Sequence, residues 1–204
     1  ITCAAWSPCG NYVAAGAKKD KSLSDQANSK VLLWDVKTQR IALEGNWHDD
    51  GIRSLAFHPD GKRLYSGSED RTIAEINWHT GQVLRRFLEA GEVWSLGVRG
   101  NYLLAANKER SASLRNLESG VVEKVYSDEQ TSLRSHVWTS DGRTIVLAGE
   151  HGPIRLWQAD TALELCTLNT EKSRVLGLAI SPDSTQLVAT CHDGRVYWWT
   201  IPKE

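Results

Sequence analysis

Two short segments of the sequence carry residue types that could perform chemistry. His48-Asp49-Asp50 offers an imidazole and two carboxylates, which are ligand types of a metal site. Cys191-His192-Asp193 places a thiol, an imidazole and a carboxylate in a row, the groups of a thiol nucleophile with its base. Consecutive residues of a strand point to opposite faces, so the second segment favours a structural role. A solvated loop is the alternative interpretation of the two aspartates.

Other catalytic signatures are missing from the sequence. It contains no glycine-rich phosphate loop, no G-x-S-x-G elbow and no H-E-x-x-H segment. The four cysteines lack the paired short spacings of a zinc or redox motif, and three of them lie in apolar runs, where a free Cys behaves as a small hydrophobe. A Cys3–Cys9 disulfide is the alternative. We predict a chain that is not an enzyme, with no catalytic residue, metal or cofactor, and the cysteine usage favours the cytoplasm.

The composition limits the classes of partner. The 204 residues are 41% hydrophobic and 24% charged with a net charge of −1, as in an ordinary globular chain. No global positive field is present to hold a polyanion, and no apolar run approaches the roughly 20 residues needed to span a bilayer. We therefore expect neither a nucleic-acid nor a membrane partner.

The elements that position these residues repeat five times. Each unit has an apolar run, a turn with Pro, Asp or Gly, a second apolar run, a polar turn and a third run. The starting turns are Trp6-Ser7-Pro8-Cys9-Gly10, Phe57-His58-Pro59-Asp60-Gly61, a shortened Val98-Arg99-Gly100, Trp138-Thr139-Ser140-Asp141-Gly142 and Ile180-Ser181-Pro182-Asp183-Ser184. A period near forty predicts stacked supersecondary units that bury their faces on one another.

The second unit shows the predicted strands most clearly. Ile52 to Phe57 alternates apolar with small or polar residues, the period of a half-buried strand. Pro59-Asp60-Gly61 supplies the backbone angles of a tight turn, and runs at 63–68, 72–76 and 82–87 complete four antiparallel strands. No segment outside such runs keeps a helical period, so the chain is predicted to be nearly all β.

The repeat carries recognisable motifs in Leu33-Trp34-Asp35, Ser66-Gly67-Ser68-Glu69-Asp70, Arg155-Leu156-Trp157 and His192-Asp193-Gly194 before Trp199. With these motifs the sequence resembles the WD-repeat β-propeller family over its whole length. The resemblance implies about five four-stranded antiparallel blades, with the last blade incomplete and the ring not closed. The expected blades cover residues 1–48, 51–90, 91–128, 131–170 and 173–204. We interpret them as consecutive units of a larger ring, whose remaining blades are expected partners.

In that family a His, a Ser or Thr, an Asp and a Trp form a hydrogen-bonded brace within a blade. The resemblance assigns structural roles to Trp34, Asp35, His48, Ser66, Asp70, Trp157, Asp193 and Trp199. Ser68 is an alternative to Ser66. With either serine, the resemblance assigns His48 to the brace rather than to a metal site. No unit has all four members. In the second and third units Ile76 and Arg115 stand where Trp is expected, and in the fourth unit His151 stands in the turn where Asp is expected. Packing between sheets must therefore carry more of the stability.

The family also uses the rim near the start of each first strand as an interaction surface. The positions assigned to this surface are Arg53, Trp94, Arg134 and Arg174, with Thr2 and Leu176 at the matching places in the other units. Glu69, Lys108 and Glu150 lie in the adjoining second turns, and Glu92 precedes Trp94. We expect a basic patch with an aromatic centre that binds an acidic or phosphorylated peptide. The alternative is a set of solvated charges with Trp94 packed between blades.

Three functions follow from this interpretation. The first is a non-catalytic scaffold that presents the propeller rim to protein or peptide partners. The second is the docking or sensory portion of a larger multidomain enzyme, such as a signalling kinase. The third, a propeller hydrolase, is disfavoured because the first strands contain no carboxylate. The insertion from Lys18 to Lys30 is expected to be a surface loop.

Overall fold

A computed structural model describes residues 1–18, 29–129, 131–171 and 173–201. These residues form 19 strands, and no helix occurs among them. The strands are β1 (Cys3–Trp6), β2 (Tyr12–Gly16), β3 (Val31–Asp35), β4 (Arg40–Gly45), β5 (Ile52–Phe57), β6 (Arg63–Ser68), β7 (Thr72–Asn77), β8 (Gln82–Leu88), β9 (Val93–Arg99), β10 (Tyr102–Asn107), β11 (Ser111–Asn116), β12 (Val122–Ser127), β13 (Leu133–Trp138), β14 (Thr144–Gly149), β15 (Ile154–Gln158), β16 (Glu164–Leu168), β17 (Val175–Ile180), β18 (Gln186–Cys191) and β19 (Val196–Thr200). Most of the expected insertion, residues 19–28, and residues 202–204 of the expected fifth blade lie outside the described ranges.

The strands form five antiparallel sheets in chain order, which we number as blades 1 to 5. Blades 1 to 4 have four strands each, and blade 5 has the three strands β17, β18 and β19. The first strands β1, β5, β9, β13 and β17 pack in succession, so they lie innermost, and the fourth strands lie on the outside. The predicted all-β propeller of about five blades, with an incomplete last blade and an open ring, is confirmed.

The first turn of each blade explains the recurring glycine. Gly10, Gly61 and Gly142 occupy the same turn position with φ of 72°, 69° and 76°. This left-handed region favours glycine because a Cβ atom is strained there. Ser184 adopts φ of 58° at the same place in blade 5. The sequence motif therefore reports a backbone requirement of the hairpin.

Four apolar clusters hold the blades together, one between each pair of neighbours. The cluster between blades 1 and 2 contains Leu33, Ile52 and Trp78, and the cluster between blades 3 and 4 contains Leu104, Tyr126 and Trp157. Ile52 and Tyr126 are fully buried. Burying one such side chain contributes about 1.5–3 kcal/mol, so the stability of each blade depends on its neighbours.

Blade 2 contains the polar brace that the resemblance implied. His48 Nδ1 lies 2.9 Å from Asp70 Oδ2, and His48 Nε2 lies 2.8 Å from Ser66 Oγ. Ser68 instead donates to the backbone oxygen of Asp50. Burial raises the pKa of Asp70, but hydrogen bonds from His48 and Thr72 outweigh it and hold that pKa well below its usual range. His48 thus supports the blade.

Blade 3 replaces the brace by a buried ion pair. Arg115 occupies the strand position of Ile76 in blade 2, and its Nη2 donates to Glu89 Oε1 at 2.6 Å. Ser113 donates to the other carboxylate oxygen at 2.8 Å. The side chains of Glu89 and Arg115 are only 4% and 10% exposed. Both carboxylate oxygens of Glu89 are thus bonded and its charge is paired, as a buried charge must be, whereas the buried Nε of Arg115 has no hydrogen-bond partner among the described residues.

Blade 4 uses a third arrangement. Arg155 Nε donates to Asp128 at 2.8 Å, and its Nη1 donates to Glu164. Trp157 packs edge-on against Tyr126 with ring centroids 5.9 Å apart. Three neighbouring blades therefore bury three different polar groups.

The remaining residues with predicted structural roles in blades 1 and 5 make other contacts. Trp34 is 43% exposed, and Asp35 accepts a bond from the backbone N–H of Thr38. Asp193 accepts the backbone N–H of Arg195, and Trp199 stacks on Tyr197 within blade 5.

Candidate interaction surface

Each of blades 2 to 5 has a β-bulge at the start of its first strand, and the extra residue is a predicted rim residue. In blade 2, Ile52 pairs with Ser68 and Ser54 pairs with Gly67, which leaves Arg53 without a partner across the ladder. The same shift makes Trp94, Arg134 and Leu176 the extra residues of blades 3, 4 and 5. Bulges re-aim side chains. We call the surface of these four residues, Arg174 and the neighbouring Glu69, Glu92 and Glu150 the bulge rim.

The arginines of the bulge rim are held by carboxylates. Arg53 Nε donates to Glu69 Oε1 at 2.6 Å, and Arg134 Nη2 donates to Glu150 Oε1 at 2.6 Å. Arg174 lies 3.6 Å from the same Glu150 oxygen. Burial raises the pKa of Glu150, but the bonds and charge of Arg134 and the charge of Arg174 outweigh it and lower that pKa. The expected basic patch is thus a set of ion pairs.

Trp94 forms the aromatic centre of the surface. The guanidinium carbon of Arg134 lies 4.1 Å from the centroid of the Trp94 ring, a cation–π contact between blades 4 and 3. The indole N–H donates to Glu92 at 3.2 Å, and Lys108 reaches Glu92 at 2.8 Å. Trp94 is half-buried, so it both packs between blades and presents an edge to the surface. The two interpretations made from the sequence therefore overlap.

Contacts between blades leave the surface with a positive balance. Lys18 of blade 1 donates to Glu69 of blade 2 at 2.9 Å, as Arg174 of blade 5 approaches Glu150 of blade 4. The ion pairs of this surface join five cationic side chains to three carboxylates, and the bond to Glu92 and, more weakly, the charge of Glu109 raise the pKa of Lys108. Lys108 and Arg174 are the most exposed cations, at 50% and 39%. Both are available to a partner without unfolding of the strands.

The other candidate chemical segments have structural environments. Cys191 is buried, and burial raises the pKa of its thiol, which disfavours the thiolate that a nucleophile needs. Its neighbour His192 is exposed. All four cysteines are free, so the alternative Cys3–Cys9 disulfide is not formed, and Cys166 is exposed. Within the described ranges no group of three or more His, Cys, Asp or Glu residues could hold a metal ion.

The part of the chain that the structure describes contains no helix long and apolar enough to cross a bilayer.

Sequence reasoning placed Glu69, Glu92 and Glu150 beside the rim but did not pair them with the cations. A signal was present, because Arg53 and Arg134 each stand 16 residues before their carboxylates.

Comparison with known proteins gives a consistent family. A family model described as "WD domain, G-beta repeat" matches residues 1–35, 39–74 and 163–200, together more than half of the chain. Among solved structures, the β-propeller domain of Myceliophteria thermophila Cps50 (Swd1) superposes with a TM-score of 0.82 at 18% identity. The likeness covers 98% of this chain and 65% of that one, and it shows the fold.

Several relatives of similar sequence are much longer than this chain. Rat "Apoptotic protease-activating factor 1" is 24% identical over 98% of this chain but only 16% of its own length. The Schizosaccharomyces pombe "Target of rapamycin complex subunit wat1" is 23% identical over 88% of this chain and 61% of its own length. The rice "Small ribosomal subunit protein RACK1y" is 25% identical over 67% and 43%, respectively. The chain therefore spans less than two thirds of these relatives.

Proposed function

Because the chain belongs to the WD-repeat β-propeller family, whose members generally act as protein-interaction scaffolds, we propose that it is a non-catalytic scaffold that binds a protein or peptide partner on the bulge rim. The observation that carries the proposal is the row of β-bulges that turns Arg53, Trp94 and Arg134 toward one surface. Two relatives bear names of assembly components, a complex subunit and a ribosomal subunit protein, which agrees with such a role.

The chemistry of the rim favours an acidic partner segment. Trp94 offers an apolar plane that is stiffened by Arg134 on its face and Glu92 at its indole nitrogen. Trp and Arg are the residue types most enriched among binding hot spots, and a preorganised pair loses little entropy on binding. The excess of cations over carboxylates in these ion pairs would attract carboxylates or phosphates. Arg174 offers the most accessible guanidinium, since its contact with Glu150 is long.

Neutralising two rim cations tests the proposal. In the double variant Arg134→Gln and Arg174→Gln, an array of acidic peptides should bind at least fivefold more weakly, and the salt dependence of binding should decrease. The matched control is Arg40→Gln with Arg143→Gln, which removes the same charge at two exposed residues outside the bulge rim. Fluorescence anisotropy measures the affinities, and circular dichroism checks the fold. Equal loss in both double variants, or no loss in either, contradicts the rim as the site.

A second candidate function is the docking portion of a longer enzyme. It is favoured by the rat relative, of which this chain covers only 16%. Recovery of the complete reading frame distinguishes the two candidates, because a frame that encodes only further repeats excludes a flanking catalytic domain.

A further inference from the structure

The opposite rim of the propeller has one position that every blade repeats. The residue after the third strand donates its backbone N–H to a carbonyl of the first turn. These bonds run from Val36 to Asn11, Trp78 to Lys62, Leu117 to Asn101, Ala159 to Arg143 and Ile201 to Thr185. The equivalent backbone bonds show that the five side chains start from the same place in the fold. Four of them are large or branched, and blade 4 has alanine.

Trp78 shows what this position does when it is filled. Its ring lies 4.9 Å from the ring of Tyr12 in blade 1 and 5.9 Å from that of Phe57 in blade 2. The side chain is only 5% exposed. The indole thus closes the outer end of the apolar cluster between blades 1 and 2.

Blades 3 and 4 repeat the walls of this arrangement without the indole. Tyr102 begins β10 as Tyr12 begins β2, and Trp138 ends β13 as Phe57 ends β5. Ala159 stands where Trp78 stands. The first turn of blade 3 is also shorter, because residues 100–101 replace the five residues 7–11 of blade 1. Both differences remove atoms from the same end of the interface between blades 3 and 4.

An open cavity of about 660 Å³ occupies this space, within the size range of ligand sites. Its apolar walls are Tyr102, Leu114, Trp138 and Ala159. Tyr102 is 36% exposed, whereas Leu114 and Ala159 are 6% and 3% exposed. The cavity therefore has an apolar floor and an aromatic wall that a partner can reach from solvent.

The charges at the mouth are acidic in balance. Glu123, Asp141 and Asp160 face Arg99 and Lys124, which leaves one excess negative charge among the described lining residues. Arg99 donates a hydrogen bond to the backbone oxygen of Ser140. The Glu123 carboxylate and, more weakly, Asp160 raise the pKa of the exposed Tyr102 phenol, so both carboxylates lie close to the aromatic wall. A cation next to an inserted aromatic side chain would meet these carboxylates.

We propose that the cavity between blades 3 and 4 binds a tryptophan side chain of a partner polypeptide, with a lysine or arginine beside it at Glu123 and Asp160. The tryptophan would take the place that Trp78 fills between blades 1 and 2. This site lies on the opposite rim from the bulge rim and does not depend on the function proposed there.

The test uses labelled pentapeptides Gly-Lys-Xaa-Lys-Gly, in which Xaa is Trp, Leu or Ala, and fluorescence anisotropy with the full chain. We expect the Trp peptide to bind at least tenfold more tightly than the Ala peptide, with Leu between them. The Ala159→Trp variant supplies the indole from within and should weaken binding of the Trp peptide at least tenfold. Val36→Trp, the same change at the equivalent position of blade 1, should leave binding unchanged.

Two further variants test the cavity without relying on the folding of Ala159→Trp. Tyr102→Ala removes the exposed wall and should weaken the Trp peptide about fivefold or more, even if Ala159→Trp does not fold. Asp160→Asn should weaken peptides with flanking lysines but not a Gly-Gly-Trp-Gly-Gly control. The Arg134→Gln and Arg174→Gln variant should bind the Trp peptide normally, which separates this site from the bulge rim. Equal binding of the Trp and Ala peptides, or full binding by a folded Ala159→Trp variant, overturns the proposal.

Discussion

The buried ion pair of blade 3 gives the sharpest prediction about stability. Replacing Arg115 by Met removes the donor to Glu89 and the bond from Arg115 Nη1 to the carbonyl of Gly120 at 2.7 Å. Among the described residues, the side chain of Glu89, which is 4% exposed, then keeps only the bond from Ser113. A buried charge that loses its partner destabilises a protein by about 3–5 kcal/mol. The total stability of a domain is about 5–15 kcal/mol, so this single change consumes a large part of it.

Removing both charges should cost much less than removing one. In Glu89→Gln with Arg115→Met no unpaired charge remains, so we expect a loss of about 2 kcal/mol and a coupling energy of at least about 1 kcal/mol between the two sites. The loss that remains comes from the guanidinium that packs 4.6 Å from the centroid of the Phe87 ring. The double variant is therefore predicted to be more stable than Arg115→Met alone.

Urea unfolding at pH 7, followed by far-UV circular dichroism, measures these differences. With a slope of about 2 kcal/mol per molar urea, Arg115→Met should lower the midpoint by about 2 M. The control is Arg134→Met, which breaks a pair whose side chains are 28% and 22% exposed, and which should cost about 1 kcal/mol or less. A loss below about 1 kcal/mol for Arg115→Met, or no coupling with Glu89→Gln, would refute the reasoning.

Two further predictions concern His136 and Gly149, both in blade 4. Burial lowers the pKa of His136 to about 4, below the ordinary value of 6.5, so the unfolded chain binds the proton more readily and stability should fall as the pH drops from about 6.5 toward 4. Between pH 7 and 4.5 this contributes about 2–3 kcal/mol in urea unfolding, and His136→Gln should lack that contribution; an unchanged pH slope in the variant contradicts it. In Gly149→Ala the new Cβ would lie 2.0 Å from the backbone oxygen of Ser132, so thermal unfolding should show a loss of about 1–3 kcal/mol or more. Gly177→Ala, whose nearest atom is 3.3 Å away, should change stability little, and similar losses in both variants would contradict the steric reasoning.

The strands could be predicted from the sequence because their signals are local. Alternation from Ile52 to Phe57 and the Pro59-Asp60-Gly61 turn depend only on neighbouring residues, and β5 and β6 match the predicted strands closely. The resemblance predicted the rim residues, but it gave no sign of their bulges and ion pairs. Pairing of Arg53 with Glu69 depends on the register of two strands, which composition does not report.

The interior of blade 3 and the cavity were missed for a related reason. The sequence identified Arg115 as a departure at the Trp position, but its partner Glu89 stands 26 residues away in the loop that enters the first strand. A carboxylate in the place of the brace histidine was the available signal. The shortened turn at Gly100 was also visible, yet its effect depends on Ala159 across the blade interface. Such features require two distant segments to be placed together.

The different polar interiors of blades 2, 3 and 4 also bear on folding fidelity. Repetitive chains are prone to misassembly, because similar modules can exchange places while the polypeptide collapses. A mispaired blade 3 that docked without the entry loop of Glu89 would bury the Arg115 guanidinium without that counter-charge. Loss of Asp128 would leave Arg155 in blade 4 paired with Glu164 but not with Asp128. The error at Arg115 would carry an electrostatic penalty of several kcal/mol, and the error at Arg155 a smaller one. The different polar groups buried in blades 2, 3 and 4 thus favour docking of each blade against its correct neighbour.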